Sequence, residues 1–396
     1  MKILYITTAY QRSASDVITP WLVETITRLR SAGHDVRVFT SSYRGLGNQV
    51  VAGVPVYRFR YSPSRWEDLT HDEMAMDRIK RGIRYKLLLV SYLLCGTAAA
   101  WRLCRRERFD IIHVHWPLPH SLFGYAAARA SRAPTVISFH GAELMVVNNV
   151  VRLAKPFLRW AIRTAGAVTA NSTHTVKAIQ RIYDRPVAIV PFGTAAGACS
   201  ESEQPRPGGT KQLLFVGRLV ERKGIPYLIE ALDILAKQFP VHLNIVGSGP
   251  EEPHLQELTR SRGLEQSITF HGRISPDELA RHYSRCDAFV LPAIVDSRGD
   301  TEGLGVVIIE AMSYRRPVVA SGVGGIVDLV IDGQTGLRVP PEDSPALARA
   351  IARVLTDPDL AQRLGRAGYD HVQQNYSWPA IIKRLDDLYR DLRAAA

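Results

Sequence analysis

Two apolar patterns alternate along the chain, and the alternation occurs twice. KILYITTAY (2–10) is a β-rich apolar run, VITPWLVETITRLRSAGH (17–34) is helical in pattern, and DVRVFTS (35–41) returns to a strand. The second half repeats the plan with QLLFVG (212–217), IPYLIEALDILAKQF (225–239) and VHLNIVG (241–247). Each triplet reads as a strand, a crossover helix and a parallel return, the βαβ unit. Further strands are predicted at DIIHVHW (110–116), TVISFHG (135–141) and AVTAN (167–171), and at SITFHG (267–272), DAFVLP (287–292) and RPVVAS (316–321). The pattern predicts an α/β chain with two doubly wound, Rossmann-like parallel sheets.

A chain of 396 residues is long for one core, so two domains are expected. VPFGTAAGACSESEQPRPGGTKQ (190–212) is rich in Gly, Pro, Ser and Ala and lacks apolar periodicity, which marks the join. The expected domains are 1–197 and 198–377, with a last helix at about 378–396 packing back on the first. Strand C-terminal ends and helix N-termini would then face a cleft between them, where ligands bind in such sheets.

Composition narrows the class. An apolar fraction of 46% is that of a soluble globular protein. The four cysteines, Cys95, Cys104, Cys199 and Cys286, form no CxxC pair, so neither a zinc site nor a disulfide framework is expected, and a reducing compartment fits. MKILYITTAY reads as a strand rather than a leader. Charge is unevenly placed: residues 1–197 hold 27 Lys/Arg against 12 Asp/Glu, and residues 198–396 hold 23 against 26. The basic first half suits an anionic surface or an anionic substrate, with an ordinary solvated basic face as the structural alternative. LLLVSYLLCGTAAAW (87–101) falls short of the ~20 residues that span a bilayer and is expected as a buried helix of the first domain. Its Arg- and Lys-rich flanks could rest on an anionic membrane, each cation adding about 1 kcal/mol near the surface.

Candidate chemistry lies mainly in the second half. EGLGVVIIEAM (302–312) holds Glu302 and Glu310 with seven residues between them. A helix starting near Gly303 would put the carboxylates about two turns, roughly 12 Å, apart. That distance suits two contacts along one elongated ligand rather than a shared proton or a metal. The N–H groups of Gly303, Leu304 and Gly305 would be first-turn donors, and the glycines would allow a ligand close to the backbone. Glu310 sits among Val306, Val307, Ile308, Ile309 and Met312, where a carboxylate needs a partner. In FVGRLVERKGIPYL (215–228), Arg218 and Lys223 flank the turn between a strand and a helix and could hold phosphate. His140 and Gly141 follow a strand directly; a neutral imidazole there can donate to a hydroxyl or a developing charge. His113 and His115 share a strand face but lack a third ligand and read as structural. GSGPEE (247–252) and GVGG (322–325) each follow a strand and could cradle phosphate, although neither is a dinucleotide fingerprint.

Together these residues resemble the retaining glycosyltransferases of family 4, with the GT-B architecture. The matching pieces are GRLVERKG (217–224), E-x7-E in EGLGVVIIEAM, PVVASGVGGIVDLVIDGQTGLRVP (317–340) and FHG (139–141). The resemblance implies that Arg218 and Lys223 hold the diphosphate of a nucleotide sugar and that Glu310 takes the ribose hydroxyls. Glu302, with the amides of Gly303, Leu304 and Gly305, would take the sugar hydroxyls. His140 would contact the donor sugar, and the backbone near Arg273 and Ile274 would meet the base. No cofactor and no metal is expected, because cations and helix N-termini can stabilise the leaving diphosphate. The implied reaction is transfer of a hexose with retention by front-face attack, from a UDP- or GDP-linked donor with a lean towards uridine. The expected acceptor is a saccharide or lipid-linked molecule in cell-surface polysaccharide or glycolipid synthesis. The expected place is the cytoplasm, at the inner face of an anionic membrane touched by the basic N-terminal domain. A nucleotide-sugar epimerase of the same architecture is the alternative. A nucleic-acid binder is not expected, since it would leave the second-half motifs unexplained.

The sequence departs from the family's pattern at three points. TTAYQRSASDVITPWL (7–22) lacks a Gly-Gly pair after the first strand, Tyr314-Arg315-Arg316 replaces the small-Gly pair after EAM, and Phe192-Gly193 replaces Asn-Gly. The helix carrying Glu310 is therefore expected to end without a glycine cap.

Overall fold

A computed structural model describes residues 1–16, 18–72, 75–141, 143–144, 154–193 and 209–395. Most of the predicted join, 194–208 with Cys199, lies outside the described residues. The chain divides into two compact units, Met1–Gly193 with Ile381–Ala396, and Thr194–Ala380.

The first unit is built on an eight-stranded sheet. Its strands are β1 (Lys2–Ile6), β2 (Asp35–Ser41), β3 (Gln49–Val51), β4 (Val54–Phe59), β5 (Ile111–His115), β6 (Thr135–Phe139), β7 (Ala167–Ala170) and β8 (Ala188–Ile189), in the order β3-β4-β2-β1-β5-β6-β7-β8. All pairings are parallel except the β3–β4 hairpin. In β1, Ile3 and Tyr5 enter one core while Leu4 and Ile6 enter the other, as strand alternation requires. Each such burial contributes about 1.5–3 kcal/mol. The second unit has six strands: β9 (Lys211–Val216), β10 (Val241–Val246), β11 (Ile268–Gly272), β12 (Ala288–Leu291), β13 (Val318–Ser321) and β14 (Leu337–Val339). They run in the order β11-β10-β9-β12-β13-β14, and every pairing is parallel. Both sheets reverse direction beside their first strand, so each has a switch point at the C-terminal end of β1 or β9.

The C-terminal helix Trp378–Ala394 joins the first unit from Ile381 onward. Ile381, Leu385 and Tyr389 enter the core that holds Ile3 and Tyr5. A buried hydrogen-bond chain fixes it. The Tyr389 hydroxyl lies 2.7 Å from the Tyr5 hydroxyl and 2.6 Å from His113 Nδ1. His113 Nε2 lies 2.6 Å from Ser138 Oγ, and Ser138 Oγ lies 2.5 Å from Thr169 Oγ1. This network occupies both nitrogens of His113, which is structural.

One expectation changes and one holds. The apolar segment 87–101 is part of a longer helix, Ile83–Arg106, of 24 residues. It is not a buried helix: only Leu88, Tyr92, Gly96, Ala100 and Cys104 are buried, and the opposite face is exposed. Apolar composition on both faces hid that asymmetry. The helix Val306–Ser313 does end without glycine, and Arg315 itself takes the left-handed conformation at φ 54°. Its guanidinium lies over the Tyr369 ring at 4.6 Å, which helps hold a conformation a side chain disfavours.

Tyr389→Phe removes two buried hydrogen bonds and leaves the Tyr5 hydroxyl and His113 short of a partner. The expected loss is about 1–3 kcal/mol, read as a lower urea midpoint with unchanged slope.

Candidate active site

In the second unit, two loops meet at the end of the sheet. The first leaves β9 at Gly217, passes a short 3-10 turn at Glu221–Lys223, and enters the helix Ile225–Ala236. Gly224 sits between them at φ 62°, so close to the Pro292 carbonyl that a Cβ would lie 1.9 Å from its oxygen. The second loop brings Thr301–Gly305 to the helix Val306–Ser313. Lys223 Nζ donates to Glu302 Oε2 in a close ion pair, with side chains 8% and 13% exposed. Arg222 adds its guanidinium, Nη1 at 4.0 Å from Glu302 Oε2 and Nε at 3.5 Å from Asp300 Oδ2. Burial pushes the Glu302 carboxyl up, but Lys223, Arg222 and the Gly305 N–H outweigh it, and the net direction is below the ordinary carboxylate range.

The helix therefore starts later than the sequence suggests. Gly305 is its N-cap at φ 88°, and Val306 its first residue. Glu302 lies before the helix, so helical rise does not set its distance from Glu310. The Glu302 carbonyl instead accepts from the Gly325 N–H at 2.8 Å, which holds the loop in a turn. The Gly305 N–H helps stabilise the Glu302 carboxylate, and the helix's first turn carries the N–H groups of Val306, Val307 and Ile308, the last of which bonds the Gly305 carbonyl at 2.8 Å. Gly303 and Leu304 lie in the turn, with the Leu304 side chain buried.

Glu310 has the partner its apolar setting required. Tyr283 Oη donates to its carboxylate at 2.7 Å. Burial raises the Glu310 carboxyl, and this bond only partly counters it. Tyr283 comes from the helix Pro276–Arg285, which opens on a capping box: Ser275 Oγ accepts from the Glu278 N–H, and the Glu278 carboxylate accepts from the Ser275 N–H. Ile274, half-buried, precedes that cap, and Arg273 donates to Ser248 Oγ at 3.2 Å. Arg218 is exposed beside the first loop. The structure thus brings Lys223, Glu302, Gly303, Leu304 and Gly305 together, pairs Glu310 with Tyr283, and leaves Arg218 at the surface. Sequence reasoning missed Arg222 and Tyr283; only the ERK triplet beside Lys223 carried a signal for the first.

The glycine turns do something other than was expected of them. Gly247 and Gly249 lie against the first loop: a Cβ on either would fall 1.9 Å from the Gly217 oxygen or 2.1 Å from the Leu219 oxygen. Gly324 and Gly325 do the same for the second loop, at 2.0 Å from the Glu302 oxygen and 2.2 Å from the Gly303 oxygen. The Leu219 N–H bonds the Ser248 carbonyl at 3.1 Å. These turns are backbone buttresses for the charged loops.

In the first unit, β6 ends at Phe139 and delivers His140. Its Nε2 lies 3.0 Å from His115 Nδ1, and the two rings stack at 5.1 Å. Trp21, Trp116 and Phe192 surround it with centroids at 4.8, 4.9 and 5.5 Å. Burial holds the His140 imidazole down at about 3, so it is neutral at physiological pH. Its Nδ1 has no hydrogen-bond partner among the described residues. The turn after it is capped by Glu143, whose buried carboxyl accepts from the His140 N–H at 2.9 Å. Burial raises that carboxyl to about 7 against the pull of nearby backbone N–H groups. The loop after β1, without its glycine pair, is held by charge instead: Arg12 Nε pairs with Asp16 at 2.6 Å, and buried Arg58 donates to the Gln11 carbonyl at 2.6 Å.

Two Rossmann-like parallel sheets, with paired basic and acidic loops at the end of the second, are those of the GT-B architecture. Residues 200–371 match the family described as glycosyl transferases group 1, and residues 21–195 match glycosyltransferase family 4. A GDP-mannose-dependent alpha-(1-6)-phosphatidylinositol monomannoside mannosyltransferase of Mycolicibacterium smegmatis is 30% identical over 348 residues, 85% of this chain and 90% of that protein. A glycogen synthase of Mycobacterium tuberculosis is 28% identical over 92% of this chain and 88% of its own length. Among solved structures, a sucrose-phosphate synthase from Thermosynechococcus elongatus superposes with TM-score 0.73 at 24% identity, covering 100% of both chains. Anabaena HepE in complex with UDP and glucose gives 0.69 at 18%, covering 99% of this chain and 100% of that one. The chain belongs to glycosyltransferase family 4, and it is a nucleotide-sugar glycosyltransferase.

Gly324→Ala forces a Cβ onto the Glu302 carbonyl at a left-handed backbone position. The expected cost is about 1–3 kcal/mol in the melting of the second unit, with donor binding lost alongside. Glu143 predicts a pH effect of definite sign. Its folded value, about 7, lies above the ordinary 4.5, so the folded chain holds a proton that the unfolded chain releases. This contribution is full below about pH 4.5 and is lost as pH rises through 7, a span of roughly 3 kcal/mol. Glu143→Gln should flatten urea stability over that window.

Proposed function

We propose that this chain transfers a hexose from a UDP- or GDP-linked donor with retention, without a metal ion, to a saccharide or lipid-linked acceptor. The observation that carries the reading is the Lys223–Glu302 pair with Arg222 beside it, and Glu310 held by Tyr283 on the helix that follows. In this reading Lys223 and Arg218 hold the donor diphosphate, which supplies charge for the leaving group that a metal would otherwise supply. Glu302, ionised at neutral pH, accepts hydrogen bonds from the hexose hydroxyls. Glu310 accepts from the ribose hydroxyls. Neutral His140 offers Nδ1 to the donor sugar, and the backbone at Ile274 meets the base. The bond from the sugar C1 to the diphosphate oxygen breaks as the acceptor hydroxyl attacks C1 from the same face. The hydroxyl proton passes to the departing diphosphate, so the nucleoside diphosphate and the glycoside account for every atom.

Support for the sugar class comes from relatives: one is named for dependence on GDP-mannose, and HepE was solved with UDP and glucose. Cell-surface polysaccharide or glycolipid synthesis on the cytoplasmic side of a membrane would place such an acceptor within reach.

A panel of UDP- and GDP-sugars in thermal-shift assays tests the donor. The true donor raises the melting temperature with and without EDTA, because a ligand bound only to the folded state must do so. Glu310→Ala should weaken that donor about 10- to 100-fold, given roughly 1.5–3 kcal/mol per hydrogen bond to a charged group. A shift that EDTA abolishes would overturn metal independence. An inverted anomeric centre in the product would overturn retention.

A further inference from the structure

The helix Ile83–Arg106 presents two opposite apolar faces. One is the core face of Leu88, Tyr92, Gly96, Ala100 and Cys104. There the Phe123 ring comes so near that a Cβ on Gly96 would lie 2.5 Å from it. The other consists of Ile83, Leu87, Val90, Leu94 and Trp101, spaced by four, three, four and seven residues. Its first four members are 54% to 70% exposed, and Trp101 is 47% exposed. Single exposed apolar side chains are ordinary, but four in successive turns, with a fifth about two turns further along, are not.

Charge says what covers it. Arg84, Lys86, Arg102, Arg105 and Arg106 are exposed on this helix, and no Asp or Glu occurs from Arg78 to Arg106. At one end the guanidiniums of Arg65 and Arg84 lie over Trp66, itself 40% exposed, at 5.1 and 5.6 Å. At the other, Arg105 lies over Trp101 at 5.4 Å. An apolar stripe bounded by cations and ended by tryptophans is the make-up of a helix that lies in a lipid interface. By length and composition the helix could cross a membrane, but its other face is built into the protein core, so it can only lie flat. A second copy is the competing occupant. Stripe against stripe, an antiparallel pair sets Arg84 and Lys86 near Arg102 and Arg105, and a parallel pair sets each cation beside its own copy. The helix carries no carboxylate of its own, and among the described residues only Arg84 of these cations has one near it, Asp68 Oδ1 at 3.7 Å, so the repulsion among the others is not offset.

We propose that this stripe docks in the plane of an anionic lipid bilayer, with its leucines at the acyl boundary and its cations on the headgroup phosphates. Docking holds whichever hexose is moved, and it would bring the first unit to an acceptor anchored in that bilayer.

The full chain is tested by co-sedimentation with vesicles of phosphatidylcholine alone and of phosphatidylcholine mixed with phosphatidylglycerol. Binding to the anionic vesicles only, weakened by salt, is the expected result. The double variant Leu87→Gln/Leu94→Gln, both at exposed positions, should bind them about tenfold less or weaker with an unchanged melting temperature. Arg102→Ser/Arg105→Ser should lose the anionic preference. Equal binding by parent and double variant overturns the proposal, as does equal binding to both vesicle types. A dimer in light scattering that the double variant abolishes, with no vesicle binding, assigns the stripe to a second copy instead.

Discussion

The ion pair between Lys223 and Glu302 joins two loops 79 residues apart in sequence, and the arrangement at the end of the second sheet follows from it. Bringing these charges out of water costs several kcal/mol for each, and their attraction offsets that cost only while both are present. Replacing one partner would strand the other. Replacing both with apolar residues would be tolerated as far as the fold is concerned. A pair of this kind is therefore weak evidence for stability and stronger evidence for chemistry that needs both signs at one point. An anionic ligand seated there would compete with Glu302 for the same ammonium.

The pair is held by backbone as much as by charge. Four glycines, at 247, 249, 324 and 325, let two turns press directly onto the carbonyls of the charged loops, closer than any Cβ allows. With the Gly325 N–H on the Glu302 carbonyl, the carboxylate is fixed from both ends of its residue. Such turns resemble phosphate cradles in sequence because both uses need glycine after a strand. What separates them is the atom that fills the space: here it is a neighbouring carbonyl, so these turns act on a ligand only through the loops they hold.

Much of the architecture was legible because periodicity reports local burial. β2, β10 and β13 lie within or along the runs the pattern singled out, and the βαβ plan of both halves followed from it. Among the strands that escaped, β3 and β14 have three residues each, too few for a period to register, while β4 has six but carries Pro55 near its start, which reads against a strand. The site was legible as residue types but not as partners. Tyr283 meets Glu310 across 27 residues, and nothing local in RHYSRCD marks that tyrosine. The start of the Val306 helix was misread because Gly303 and Gly305 looked like its first turn, whereas a left-handed Gly305 can only precede it. The helix at Ile83–Arg106 was misread for a different reason. Its moment is blurred when both faces are apolar, and burial on one side cannot then be told from exposure on the other.

Four titratable groups show how environment divides labour among similar side chains. Glu302 lies near two cations and is held ionised below its ordinary range. Glu310 and Glu143 have burial without a cation and are raised. His140 is kept neutral by burial in an aromatic cage. A neutral imidazole and a firm carboxylate are both poor at exchanging protons near pH 7, since neither titrates there. Both are good at holding hydroxyl groups in fixed directions. That is the division expected where a leaving group carries away its own proton acceptor. In the proposed reading the protein supplies orientation and charge, and neither Glu302 nor His140 has to cycle through protonation states.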